Sequence, residues 1–265
     1  MKDRFPPIYS LWILITLSLV IFIGLSFSND IHLGNHTLSK AYFPETLLAK
    51  TEDQDTIITI EQTLPDTLTI QADKIAEPDT TIHNVLIFGD SMTHNLAMSL
   101  AKYGTKNNFK VTSVTWESSS IPKWLNSGKI QEYIELSHPD FIFISLGSNE
   151  MELKNFDRRL PDIQGIVKAV GKTPFVWVGP PLWKEDKGLY PVLAKGVPEG
   201  LLFKLEKMEI ERGPDHVHPT RHGADQWADT LMRWIAKSPH PILNNPPDSG
   251  TTTKGHKFIY LHPND

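Results

Sequence analysis

The apolar positions of this chain fall into two regimes, and the change comes near residue 81. From there on, short apolar runs alternate with segments of helical spacing. "TIHNVLIFG" (81–89) ends in such a run. The next segment spaces Leu96, Leu100 and Tyr103 along one helical face. "FKVTSVTW" (109–116) predicts a second strand, and "IPKWLNSGKIQEYIELS" (121–137) one helix, with Pro122 suited to its first turn. "DFIFISLG" (140–147) is apolar almost without interruption, as expected of a strand covered on both faces. A helix over 161–171, a strand over 174–181 and helices over 198–212 and 219–238 complete the series. In the last of these, Trp227, Leu231 and Trp234 recur at helical intervals. This strand–helix alternation predicts an α/β fold, a three-layer α/β/α sandwich around a parallel sheet, over residues 81–238. Residues 239–265 are rich in Pro, Asn and Thr and read as an irregular tail.

The amino-terminal part follows another rule. Residues 8–27 form a 20-residue apolar run without a charge, preceded by Lys2 and Arg4. A helix of about 20 apolar residues spans a bilayer core, so residues 1–28 are expected to be a transmembrane anchor. Ser26 and Ser28 have the small-residue spacing of a signal-peptide cleavage site, which leaves cleavage and secretion as the alternative. Basic residues before the run orient its amino end to the cytoplasm. Everything downstream is then extracytoplasmic, periplasmic in a cell with two membranes. Residues 29–80 carry ten acidic residues against three lysines and no Trp, the composition of a stalk or linker. Within it, the Thr/Ile alternation of 56–70 around Pro65-Asp66 fits either a β-hairpin or a loosely ordered spacer.

Composition narrows the chemistry. The net charge of −5 supplies no basic field, so nucleic acid is not an expected partner. The absence of cysteine excludes disulfides, thiolate catalysis and Cys-based zinc sites.

In an open parallel sheet, ligands bind beyond the carboxyl ends of the strands. Three predicted strands end there in polar loops: "GDS" (89–91), "ESSS" (117–120) and "GSNE" (147–150). A fourth polar loop, "GPDHVHPTRHG" (213–223), precedes the last helix. Ser91 opens a helix, where amides favour a developing negative charge, although Asp90 or Ser91 in such a place also serves as a plain cap. Gly147 and Asn149 fit either an ordinary turn or a side-chain oxyanion donor. Asp215 and His218, three apart on a turn, can align a carboxylate, an imidazole and a serine hydroxyl. The same loop admits two other readings: a metal site using His216, His218 and His222 with Asp215, or a solvated polar loop.

Together, "GDS", "GSNE" and "DHVHPT" resemble, in order and spacing over residues 85–236, blocks I, III and V of the SGNH/GDSL hydrolases. That resemblance implies a flavodoxin-like sandwich and a Ser-His-Asp esterase that needs no metal and no cofactor. Carried over by motif, Ser91 is the nucleophile and an oxyanion donor through its amide. Asn149 is the side-chain oxyanion donor, and Asp215 and His218 complete the triad. Block II of the family supplies a glycine amide to the oxyanion hole. Here "WESSSIPKW" has none, so Ser119 or Ser120 is the expected substitute. A Ser-rich block followed by Trp, on a domain behind one membrane helix, is similar to SGNH domains linked to polysaccharide O-acetylation. An acylated carbohydrate, or another ester, is the expected substrate, with envelope acetylation machinery as a partner. Asp90 and Trp183 are candidate substrate contacts. Trp116 is a further aromatic near a strand end, and Trp124 reads as core.

Overall fold

The computed structural model describes residues 31–33, 36–38, 77–205 and 209–265. The chain divides into two compact units, Met1–Leu68 and Thr69–Asp265. In the first, β1 (Ile31–Leu33) pairs antiparallel with β2 (His36–Leu38), Ile31 opposite Leu38. The apolar run 8–27, the 56–70 alternation and most of the acidic 29–80 segment lie outside the described residues. Among the described residues no helix is long and apolar enough to cross a membrane.

The second unit is built on a six-stranded sheet, every pairing of which is parallel. Its strands are β3 (Asn84–Gly89), β4 (Lys110–Trp116), β5 (Phe141–Ser145), β6 (Phe175–Val178), β7 (Leu202–Phe203) and β8 (Lys257–Leu261), in the spatial order β7-β6-β5-β3-β4-β8. The alternation of side chains along each strand sorts them into two cores. Val85, Ile87, Phe141 and Phe143 face α1 (Thr93–Asn107) and α6 (Arg221–Ile235). Leu86, Phe88, Ile142 and Ile144 face α2 (Ile121–Asn126), α3 (Lys129–Ser137), α4 (Leu160–Ala169) and α5 (Leu189–Gly196). With both faces covered, the expected three layers are present.

Four local expectations need correction. The single helix predicted over 121–137 is two. Gly128 takes a left-handed conformation (φ 74°), and the Ser127 hydroxyl both donates to the Trp124 carbonyl and accepts the Lys129 amide. No helix forms at the start of 198–212. There Leu202 and Phe203 pair with Trp177 and Val178 at the sheet edge, and the Leu201 and Phe203 carbonyls accept the Trp177 and Gly179 amides. The open edge of β6 outweighs the helical periodicity, because strand preference is set by tertiary neighbours. Helix α5, absent from the sequence reading, starts where the Asp186 carboxylate accepts the amides of Gly188, Leu189 and Tyr190. Finally, the carboxyl-terminal tail is not irregular throughout. Lys257–Leu261 forms β8 against β4, with Tyr260 beside Thr115.

The strand order locates the rim of interest. The chain leaves β3 for β4 on one side and later returns to β5 on the other. Loops after β3 and β5 therefore diverge at a topological switch point, where a crevice opens. Gly89 ends β3 against β5 so closely that a Cβ there would stand 1.8 Å from the Ser145 carbonyl oxygen.

Candidate active site

Ser91 follows this close approach directly, two residues before α1. Its hydroxyl lies 2.9 Å from His218 Nε2, and His218 Nδ1 lies 2.6 Å from Asp215 Oδ2. The carboxylate only accepts, so Nδ1 carries the hydrogen and Nε2 is left to accept from the Ser91 hydroxyl. The loop that presents this pair is self-templated. Asp215 Oδ1 accepts the amides of Val217 and His218, both at 3.0 Å, which curls the backbone so that Oδ2 meets the imidazole. The imidazole bond, followed by these two amides, brings the Asp215 pKa down to about 2. His216 takes the left-handed conformation in the turn (φ 57°), and the Gly213 amide closes the loop on the His218 carbonyl.

Arg212 holds the loop from below. Its guanidinium donates to the carbonyls of Val217, Leu182 and Pro181, bridging the histidine loop to the segment after β6. The planar fork suits several carbonyls at once. The Asn95 side chain donates to the Pro219 carbonyl at 2.8 Å and ties the loop to α1. Sequence reasoning missed both residues, because carbonyl acceptors leave no mark in a sequence.

The other polar loops are joined by buried carboxylates. Asp90 is buried and accepts the amides of Met92 (3.1 Å) and Ser148 (3.0 Å), linking the loops after β3 and β5. Glu150, also buried, accepts the Ile121 amide at 2.8 Å, linking the loop after β5 to the start of α2. Asn149 donates to the Ser119 carbonyl at 2.8 Å. A primary amide has two hydrogens, and the second has no acceptor among the described residues.

Several expected contacts are revised. Asp90 cannot meet a substrate, since it is buried and its carboxylate is occupied by backbone amides. The Ser119 amide is engaged by the Trp116 carbonyl at 3.2 Å, and its hydroxyl by Trp116 and Trp124, so Ser119 is a structural bracket. The turn that causes this has Ser118 in the left-handed region (φ 54°). Among the described residues, the amides of Ser120 and Ser91 meet no acceptor. Trp116 and Trp124 are buried edge to face against each other and present no ring to a ligand. Trp183 is half-buried against the core. His222 and His216 are exposed, and no three His, Asp or Glu side chains among the described residues group as metal ligands.

A cleft of about 240 Å³ opens beside the serine. Its walls include Ser91, His94, Thr115, Glu117, His218 and Tyr260, but not Trp183, Asn149 or Ser120. A larger cavity of about 410 Å³ lies among His83, Asn84 and Lys110 at the amino ends of β3 and β4. It is remote from the serine and holds no such line of groups, so size alone does not mark the site.

No family model and no curated protein matches the sequence. Among solved structures, one similar chain is a member of the lipolytic protein G-D-S-L family from Veillonella parvula. It is 16% identical, with a TM-score of 0.41, over 56% of this chain and 96% of that one.

Proposed function

We propose that this protein is a serine esterase of the SGNH/GDSL type, acting on ester-linked acyl groups, foremost O-acetyl on carbohydrate. The observation that carries the proposal is the unbroken line Ser91–His218–Asp215 at 2.9 and 2.6 Å. A solvated polar loop has no reason to aim an imidazole, oriented by a carboxylate, at a serine just before a helix.

In this mechanism His218 Nε2 takes the Ser91 proton as Oγ attacks the ester carbonyl. The charge that develops on the carbonyl oxygen meets the Ser91 and Ser120 amides and the second Asn149 hydrogen. The alcohol leaves with the proton from His218, and the acyl group remains on Ser91. Water then attacks the acyl-enzyme, giving one proton to His218. The carboxylic acid departs, and the proton returns to Ser91. Asp215 holds the imidazole and stabilises its charged form. A sugar hydroxyl in place of water makes the same residues an O-acetyltransferase. A long-chain lipase or thioesterase is a weaker reading, since the rim loops carry no obvious apolar insertion to line a long acyl trough. A non-catalytic glycan-binding protein has no use for the aligned triad.

Release of nitrophenol from p-nitrophenyl acetate by wild type and by Ser91→Ala tests the enzyme reading. Equal slow rates in both would refute it. Mass spectrometry of the protein with an acetylated glycan, with and without a second glycan, separates hydrolysis from transfer. The cellular part of the proposal rests on the sequence: residues 8–27 anchor the protein, and the esterase domain faces outward beside envelope acetylation machinery. Fractionation of the full chain, against a chain starting after residue 28, tests the anchor.

A further inference from the structure

Glu117, His94 and Tyr260 surround the cleft beside Ser91, and the triad uses none of them. Tyr260 is 45% exposed, and the only other large exposed apolar side chain among the described residues is Leu136, on α3. It stands on β8 next to Thr115, at the carboxyl end of β4. Its hydroxyl is hydrogen-bonded to His94 Nδ1, and the two rings lie 4.9 Å apart. His94 Nε2 has no partner among the described residues. Burial and then the Arg221 charge lower the His94 pKa, so the ring is neutral near neutral pH. The exposed Glu117 side chain adds an acceptor, with His262 Nδ1 at 4.0 Å.

We infer that this cleft holds the alcohol half of the ester, a single pyranose ring, with Tyr260 against the ring face and Glu117 and His94 taking its hydroxyls. This rests on the esterase reading and deepens it. Three observations converge. The departing alcohol must lie beside His218 Nε2, which protonates it, and His218 lines this cleft. The oxyanion candidates Asn149 and Ser120 are not among its walls, so the carbonyl oxygen is turned away from it. At about 240 Å³ the cleft is smaller than the roughly 300–1,000 Å³ of drug-sized sites, a size for one ring. An aromatic face flanked by a carboxylate and a neutral imidazole matches the mixed C–H and O–H surface of a sugar better than an alkyl chain.

The test compares kcat/KM for 6-O-acetyl and 6-O-butyryl methyl glucoside with that for ethyl acetate, in wild type, Tyr260→Ala, Tyr260→Phe and Glu117→Gln. Tyr260→Ala should lower kcat/KM on the acetyl glucoside, chiefly through KM, about tenfold more than on ethyl acetate, the scale of one lost aromatic contact. Tyr260→Phe should recover most of that difference. Equal losses on both acetates would overturn the inference in favour of a structural role. A loss that follows acyl length at constant sugar would overturn it in favour of an acyl pocket. If wild type and Ser91→Ala were alike on all three esters, the esterase reading itself would fall, a result distinct from either.

Discussion

Glu150 offers a test of the buried frame beneath the candidate site. It is 1% exposed, and one carboxylate oxygen accepts the Ile121 amide while the other, Oε2, has no partner. Arg159 Nε stands 3.7 Å from Oε1, too far for a direct hydrogen bond. Burial, aided by the Asp90 charge and opposed by the Ile121 amide and Arg159, raises its pKa from an ordinary 4.5 to about 7. A carboxyl raised in the folded state binds its proton more tightly there than in the unfolded chain. Its contribution to stability is therefore complete below pH 4.5 and is lost as pH rises through about 7. At about 1.4 kcal/mol per pH unit, this amounts to roughly 3 kcal/mol across the window. Glu150→Gln keeps an oxygen for the Ile121 amide and removes the titration. Urea unfolding of both proteins across this range should show the variant gaining roughly 3 kcal/mol on wild type between the acid and alkaline ends. Parallel stability curves would refute the reasoning and mean that Arg159 compensates the charge fully.

Asp215→Asn should leave the fold intact but lower kcat by about 10⁴, because an amide nitrogen facing Nδ1 favours the wrong imidazole tautomer. Esterase kinetics beside a circular dichroism spectrum check this. Since the Asp215 pKa is lowered to about 2, its pairing with His218 persists from neutral pH down through the ordinary carboxylate range and is lost only towards pH 2. An acid limb in kcat/KM near pH 4 that disappears in Asp215→Asn would contradict that. Gly89→Ala should destabilise by at least about 1–3 kcal/mol, since its Cβ meets the Ser145 carbonyl and the Thr93 hydroxyl. A thermal melt unchanged from wild type would show that β3 and β5 can separate. Arg212→Lys should lower esterase kcat more than it lowers stability, because an ammonium cannot reach three carbonyls in a fork. Comparison of kcat with the melting temperature checks it.

The strands at 84–89 and 141–145 were legible because a parallel strand buried on both faces needs a near-continuous apolar run, and the strand at 110–116 because its Val and Thr residues are β-branched, both local properties. Ser91, Asp215 and His218 were legible as residue types standing at element junctions. The rest depended on partners distant in sequence. Leu202–Phe203 is a strand because β6 has an open edge. Lys257–Leu261 joins the sheet because β4 has one, although its Phe, Ile and Tyr were suited to a strand. Which serine after β4 keeps a free amide depends on a turn around Ser118. Asp90 is a bracket because the Ser148 amide reaches it from another loop.

The chain's own pattern thus determined the α/β alternation and the chemical types at the strand ends. Tertiary structure alone decided that Ser91 and His218, 127 positions apart, meet at hydrogen-bond distance. It also decided that the tail brings Tyr260 to the same cleft. The physical reason is that periodicity encodes burial of each element against some partner, whereas hydrogen bonds between loops require the particular partner to be in place.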